Sequence, residues 1–257
     1  MTLKLHELSP SDPVDQNLIP AIARVHLTAW LSNSLYEAIY YGPPSSHARI
    51  IENNRRRHSK TVTSEPSSRY AVVLDDGACG DNTKRHSEQT GPDPNHLIAW
   101  AKYDIFERPE AEEERQDTGE IKYPPYTNLP LANHFWDLIV QSRQRVGKSL
   151  GGHVSVDQLA TDPDHHRRGA GRMLMEHIVK KADELGLPAT LEASPQGMNL
   201  YTSVGFEPVD EFWVDLLRFE GGEDKGEAWS KEQHRVPGQG PGWYKQVAMI
   251  RQPRKTE

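Results

Sequence analysis

The sequence predicts an α/β fold, and three observations point to it. Strand-like and helix-like patterns alternate along the chain. The run from Val154 to Arg172 reads as a strand, a glycine-containing turn and a helix. With 257 residues, 35% of them hydrophobic, the chain is long enough for a sizeable core. Residues 1–257 are expected to form one decorated domain, with surface insertions at about 75–96, 105–130 and 220–241. No internal repeat is visible, which sets aside a solenoid or propeller.

The elements follow in order. A short strand is expected at 3–8, then a helix whose buried face carries Leu18, Ile22, Val25 and Ala29 at steps of four, three and four. Trp30 to Tyr41 reads as an aromatic loop ending in Gly42-Pro43-Pro44, and a second helix as 45–60, with Arg55, Arg56, Arg57 and Lys60 on a solvated face near its C-terminal end. Strands follow at Tyr70–Leu74 and Leu97–Tyr103. Between Asp104 and Glu120 lie eight acids and two arginines, which predicts a poorly ordered insertion over 105–126. A helix begins near Pro130, capped by Thr127 or Asn128, with Leu131, Phe135, Leu138, Ser142 and Val146 as its stripe. The remainder reads as a strand (153–160), loop (161–168), helix (169–185), strand (189–193), short helix (197–203) and strands near 212–218 and 243–251. Within the strand at 153–160, alternation puts His153, Ser155, Asp157 and Leu159 on one face and Val154, Val156, Gln158 and Ala160 on the other.

Composition excludes several classes. Thirty basic against 37 acidic residues give a net charge of −7, which lacks the positive field of a non-specific nucleic-acid binder. No run of 18 apolar residues and no leader-like N-terminus is present, so neither membrane nor secretion is expected, and a cytoplasmic location is. The single cysteine, Cys79, allows no intrachain disulfide framework and sits in a polar stretch that does not read as a catalytic site. The 12 histidines form no HExxH motif, and the adjacent pair His165-His166 is poorly spaced for one metal, so no metal is expected.

Chemistry concentrates between Val154 and Leu185. Leu174, Ile178, Ala182 and Leu185 give the helix a buried face, and Gly186 with Pro188 stops it. Gly169 and Gly171 let the backbone of its first turn approach a ligand, where unpaired N–H groups and the positive dipole end favour an anion such as phosphate. A dinucleotide-binding G-x-G-x-x-G would need glycine where Leu174 stands, although Glu192 mimics the ribose-binding acid. No G-x-x-x-x-G-K-[ST] string occurs, and glycines that merely permit tight helix packing remain the bland alternative.

The residues from Thr161 to Arg172 resemble the acyl-CoA pyrophosphate loop of the GNAT N-acetyltransferase superfamily, written Gln/Arg-x-x-Gly-x-Gly/Ala, with His166 in the Gln/Arg position. Downstream, Leu191-Glu192-Ala193-Ser194-Pro195, Gly197 and Leu200-Tyr201-Thr202-Ser203-Val204-Gly205-Phe206 resemble the second signature of that family. The resemblance is sharp over 153–206, looser in the flanks, and nearest to small-molecule-type members from fungi. It implies a mixed, mostly antiparallel sheet of about seven strands flanked by helices, with Ala248-Met249-Ile250-Arg251 in the closing strand.

The function implied is direct acetyl transfer from acetyl-CoA to the amine of a small molecule, by a monomer or homodimer. The alternative is a catalytically degenerate GNAT-like module that binds acyl-CoA or a partner without turnover. By resemblance, the main chain of Leu159, Ala160 and Thr161 holds the pantetheine arm. Backbone N–H groups of Arg167, Arg168, Gly169, Ala170, Gly171 and Arg172 cradle the pyrophosphate, with the three guanidinium groups adding charge, and Ser194 contacts the coenzyme. Tyr201 is the expected general acid. Asp157 is the first choice for the base, Glu192 the second and His153 the third. Trp30, Tyr36, Tyr40 and Tyr41 are expected to line the acceptor pocket, joined by Trp100 and Tyr103.

Overall fold

The computed structural model describes residues 2–76, 92–108, 123–147 and 150–254. Its strands are β1 (Leu3–Glu7), β2 (Ser68–Asp75), β3 (Leu97–Phe106), β4 (His153–Thr161), β5 (Ala189–Ala193), β6 (Glu207–Asp215) and β7 (Trp243–Arg251). They form one seven-stranded sheet in the order β1-β2-β3-β4-β5-β7-β6. Every neighbouring pair is antiparallel except β4 and β5, which run parallel at its centre. The α-helices are α1 (Pro13–Gln16), α2 (Ile19–Trp30), α3 (Ser34–Ile39), α4 (His47–Ser64), α5 (Leu129–Gly147), α6 (Ala170–Leu185), α7 (Met198–Ser203) and α8 (Gly226–Glu232).

Alternation along the strands divides the core. Ala71, Val73, Ala99, Ala101 and Tyr103 turn toward α6, whose Leu174, Met175, Ile178 and Ala182 are buried against them. Tyr70, Val72, Leu74 and Trp100 turn the other way, onto Leu18, Ile22 and Val25 of the α2 region. A third cluster packs Leu131, Phe135 and Ile139 of α5 against Phe212 and Tyr244. Leu185, expected on the buried face of α6, is instead 42% exposed, because the helix has reached its end at Gly186, a left-handed C-cap with φ of 67°.

Several boundaries differ from the sequence expectation. The supposed loop from Trp30 to Tyr41 contains α3, which forms because Asn33 Oδ1 accepts the Leu35 N–H and buries Leu35 and Ile39. The expected strand at 212–218 spans 207–215, followed by a single 3₁₀ turn at Leu216–Phe219. Its first residues, Glu207 to Val209, are exposed on an edge strand and carry no apolar alternation to read. Asp104 to Phe106, assigned to an acidic insertion, finish β3, while α8 interrupts the excursion at 220–241. Cys79 and most of the acidic insertion lie outside the described residues.

The alternation expected for β4 breaks at Asp157. Lys102 pairs with Gln158 while Tyr103 pairs with Val156, so Asp157 is an extra residue, a β-bulge. Beyond it the phase reverses. Leu159 packs with Val154 and Val156 on the α6 side, and Ala160 faces the α2 side. The expected grouping of Leu159 with Asp157 is therefore corrected.

Candidate active site

The parallel ladder between β4 and β5 is short. It pairs Val154 with Ala189, Ser155 with Thr190 and Val156 with Leu191, and no pair continues it. From Gln158 to Thr161, β4 is paired with β3 alone, so beyond the bulged Asp157 its edge toward β5 opens at the carboxyl ends of two parallel strands, where α/β sheets characteristically bind ligands. A cleft of about 1660 Å³ occupies this opening and continues toward α2, α4 and α5. Leu159, Ala160, Thr161, Ser194 and Tyr201 line it, as do Trp30, Tyr36, Tyr40, His153, Asp157 and Glu192.

The loop from Arg167 to Arg172 lines the same cleft at the N-terminus of α6. Gly169 caps the helix with φ of 93°, Arg167 also takes a positive φ of 62°, and no acid stands in the first turn. His166 Nε2, 3.1 Å from the carbonyl oxygen of Thr161, donates to it in the tautomer that fits, bracing the loop against the end of β4. The guanidinium groups divide. Arg168 lines the cleft and pairs with the buried carboxylate of Asp75 at the end of β2. Arg172 lies on the helix surface, 3.1 Å from Ser203 Oγ and 3.3 Å from Glu176 Oε1.

A chain of alternating charge crosses the sheet beside the bulge. Arg143 of α5 donates from Nη2 to Glu192 at 2.9 Å and to Asp157 at 3.0 Å, and thus sits between the diverging strand ends. Lys102 Nζ donates to the other oxygen of Asp157 at 2.8 Å and to Asp104 at 3.2 Å, and Ser68 Oγ closes the chain on Asp104. Burial alone would lower the pKa of Arg143, but Glu192 and Asp157 raise it, so the guanidinium stays charged. Both oxygens of Asp157 are thereby engaged with cations. Such a carboxylate is better suited to holding position than to taking a proton.

Tyr201 is 8% exposed, and burial, with Tyr244 nearby, pushes its hydroxyl up to about 12. Its ring lies directly over Gly197, where a Cβ would meet Tyr201 Cε2 at 2.5 Å. Ser194 Oγ accepts the Gly197 N–H at 3.3 Å and shapes that turn. In the limb of the cleft toward α2 and α5, Trp30 stacks on Tyr36 with ring centroids 4.1 Å apart, and Phe135 meets Tyr36 edge-on. Asn33 Nδ2 donates to Tyr244 Oη at 2.9 Å, tying the end of α2 to β7. Three expected aromatics fall elsewhere. Tyr41 is 59% exposed outside the cleft, Trp100 is buried beneath it, and Tyr103 faces α6 with its hydroxyl on Glu7.

Sequence reading missed Lys102, Arg143, Asn33 and the buried histidines His26 and His58. His26 and His58 are on facing helices, with His26 Nδ1 2.8 Å from His58 Nε2. The signal available for His26 was a histidine on an apolar helix face, which by itself does not separate packing from chemistry, whereas His58 stands in a polar run beside Asn54 on the buried face of α4. Among the described residues no group of three or more His, Cys, Asp or Glu is placed to hold a metal, and no helix is long and apolar enough to cross a membrane.

The family model described as "Acetyltransferase (GNAT) domain" matches residues 133–208, which run from α5 through β4, α6, β5 and α7 into β6. Over 82 residues, 32% of this chain, the sequence is 34% identical to the peptidyl-lysine N-acetyltransferase YjaB of Escherichia coli (strain K12). The chain spans about half, 55%, of the length of that curated relative. The solved structure of mosquito arylalkylamine N-acetyltransferase like 5b aligns with a TM-score of 0.56 at 14% identity, over 98% of this chain and 100% of that one. A histone acetyltransferase HPA2 and related acetyltransferase from Corynebacterium glutamicum ATCC 13032 aligns at 0.51 and 15%, over 100% and 99%. At such identities these two likenesses are ones of fold.

Proposed function

We propose that the chain is a member of the GNAT superfamily and, as one domain, an acetyl-CoA-dependent N-acetyltransferase passing an acetyl group directly to the amine of a small molecule, a reading that the match over residues 133–208 supports. The observation that carries this reading is the unpaired edge of β4 from Asp157 to Thr161, running beside the acid-free N-terminus of α6. An extended amide-bearing arm fits such an edge, and a pyrophosphate fits such a helix start. Gly169 supports the fit, because its φ of 93° turns the loop where a side chain would be strained.

Acetyl-CoA, when bound, supplies an acetyl group activated as a thioester. Leu159, Ala160 and Thr161 offer main-chain groups to the pantetheine arm, and the backbone N–H groups of Arg167 to Arg172 hold the pyrophosphate. Arg167 and Arg172 contribute charge, and Ser194 shapes the turn before α7. Tyr201 stays protonated across the physiological range, as a general acid for the leaving sulfur requires. Asp157 and Glu192 hold Arg143 and Lys102, fixing the strand ends and orienting the acceptor limb.

The limb built on Trp30, Tyr36, Tyr40 and Phe135 favours an amine with an apolar or aromatic body. Because the curated relative acts on peptidyl-lysine, a lysine side chain is the second reading. Calorimetric binding of acetyl-CoA, combined with thiol release over arylalkylamines, polyamines and a lysine peptide, separates these. Turnover of the small amines supports the proposal, turnover of the peptide alone supports the second reading, and binding without any turnover supports a degenerate module. We place the protein in the cytoplasm as a monomer or homodimer, without a metal, nucleic acid or membrane.

A further inference from the structure

His26 and His58 meet at the cleft in an arrangement that packing alone does not require. They are 2% and 4% exposed, and both line the cleft. His26 Nδ1 lies 2.8 Å from His58 Nε2, and His58 Nδ1 lies 3.0 Å from Tyr70 Oη. His26 Nε2, equally buried, has no hydrogen-bond partner among the described residues. Leaving a buried polar nitrogen unpaired is costly, and the neighbouring Trp30 and Trp100 rings would pack as well against an apolar side chain.

A neutral imidazole carries one proton on two nitrogens, and the bond made by one nitrogen decides the state of the other. When His26 Nδ1–H donates to His58 Nε2 and His58 Nδ1–H donates to Tyr70 Oη, the lone pair left over is that of His26 Nε2. We propose, on the acetyltransferase reading above, that His26 Nε2 receives the proton given up by the acceptor amine. His58 and Tyr70 are then positioning residues that hold His26 in the required tautomer, as the third member of a catalytic triad orients its histidine.

The groups facing His26 are His58 and Arg57 of α4 and Asp157 of β4, while Tyr70 of β2 and Lys102 of β3 act on it through His58. Burial first, then His58 and Arg57, hold its pKa well below 6.5 against the opposing pull of Asp157, so the ring is neutral at physiological pH. In the transfer the amine nitrogen forms a bond to the acetyl carbonyl carbon and yields its proton to His26 Nε2. The carbon–sulfur bond breaks with its electron pair on sulfur, and Tyr201 gives sulfur a proton. Exchange with solvent restores both side chains.

The test joins ¹⁵N NMR of the histidine rings in the full chain with kinetics of His26→Gln, His26→Ala and Tyr70→Phe. The wild type should show His26 protonated on Nδ1 at pH 7. His26→Gln should lose about 100-fold in kcat with acetyl-CoA affinity and melting temperature little changed. Imidazole should restore part of the His26→Ala activity, in proportion to its unprotonated form, and Tyr70→Phe should lose less than His26→Gln. A proton found on Nε2 overturns the proposal, even if a variant fails to fold. An undiminished kcat in His26→Gln overturns it too. A wild type inactive on every amine would instead contradict the acetyltransferase reading.

Discussion

Arg143 on α5 holds Glu192 on β5 with Nη2 2.9 Å from Oε2, and with the same nitrogen reaches Asp157 at 3.0 Å, just where the β4–β5 ladder ends. The guanidinium thus bridges two largely buried carboxylates and shares Asp157 with Lys102. Arg143→Gln removes the guanidinium from Glu192 and leaves Asp157 with Lys102 alone, and is expected to cost about 3 kcal/mol in urea unfolding. Arg143→Lys should recover part of that, since it restores the charge without the fork. A loss near zero would mean that the carboxylates are well solvated without it.

Gly197 and Tyr201 give a way to test the acid without removing its hydroxyl. A Cβ at 197 would press on Cε2 from 2.5 Å and displace the ring. Gly197→Ala should therefore lower kcat, and Tyr201→Phe should lower it by about 100-fold with acetyl-CoA affinity retained. With the Tyr201 hydroxyl held at about 12, the wild-type rate should show no alkaline fall from this group at pH 10, where an ordinary tyrosine would be half ionised. Full activity in Tyr201→Phe would make the ring a packing residue only.

The two loop glycines should fail differently. Gly169→Ala meets no atom within 4 Å but must adopt φ of 93°, so it should cost about 1 kcal/mol, read as a drop of about 3 °C in melting temperature. At Gly171 an added Cβ would make ordinary contacts with Leu200 and Thr161. Gly171→Asp should accordingly fold, yet weaken acetyl-CoA binding at least about tenfold in calorimetry by putting a negative charge at the helix start.

Stability should fall in acid through the buried histidines. Burial, with Arg57 and Lys102 nearby, lowers the His58 pKa from 6.5 to about 3, and that of His26 is lowered as well. The unfolded chain then binds more protons below pH 6.5, so this contribution is intact above that pH and is lost as the pH falls toward 3. The slope should be on the order of 1 kcal/mol per pH unit per histidine, measured by urea unfolding across this range. His58→Gln should flatten it, and equal slopes in both proteins would show that His58 is protonated in the fold.

The open strand edge and the helix start that line the cleft were legible because their signals are local. The glycines at 169 and 171, the period of α6, and the strand and the short helix that carries Tyr201 lie within one stretch of chain. The sheet was legible for a similar reason, since β2, β3 and β7 are continuous apolar or alternating runs. What escaped depends on partners distant in sequence. Arg143 is 49 residues from Glu192, Lys102 is 55 from Asp157, and His26 is 32 from His58. The bulge at Asp157 escaped because one inserted residue leaves no mark in composition, yet it reverses the phase of Leu159 and Ala160. Tyr41, Trp100 and Tyr103 were misplaced because an aromatic residue reads alike in a pocket, a core or a surface.

Hydrogen exchange tests the central claim most directly, by asking where acetyl-CoA touches the backbone. Adding it should slow exchange in peptides covering Asp157–Thr161 and Arg167–Met173, the open strand edge and the helix start, whereas NADH should leave both unchanged. Binding of acetyl-CoA with protection confined to other segments, or equal protection by NADH, would contradict the account.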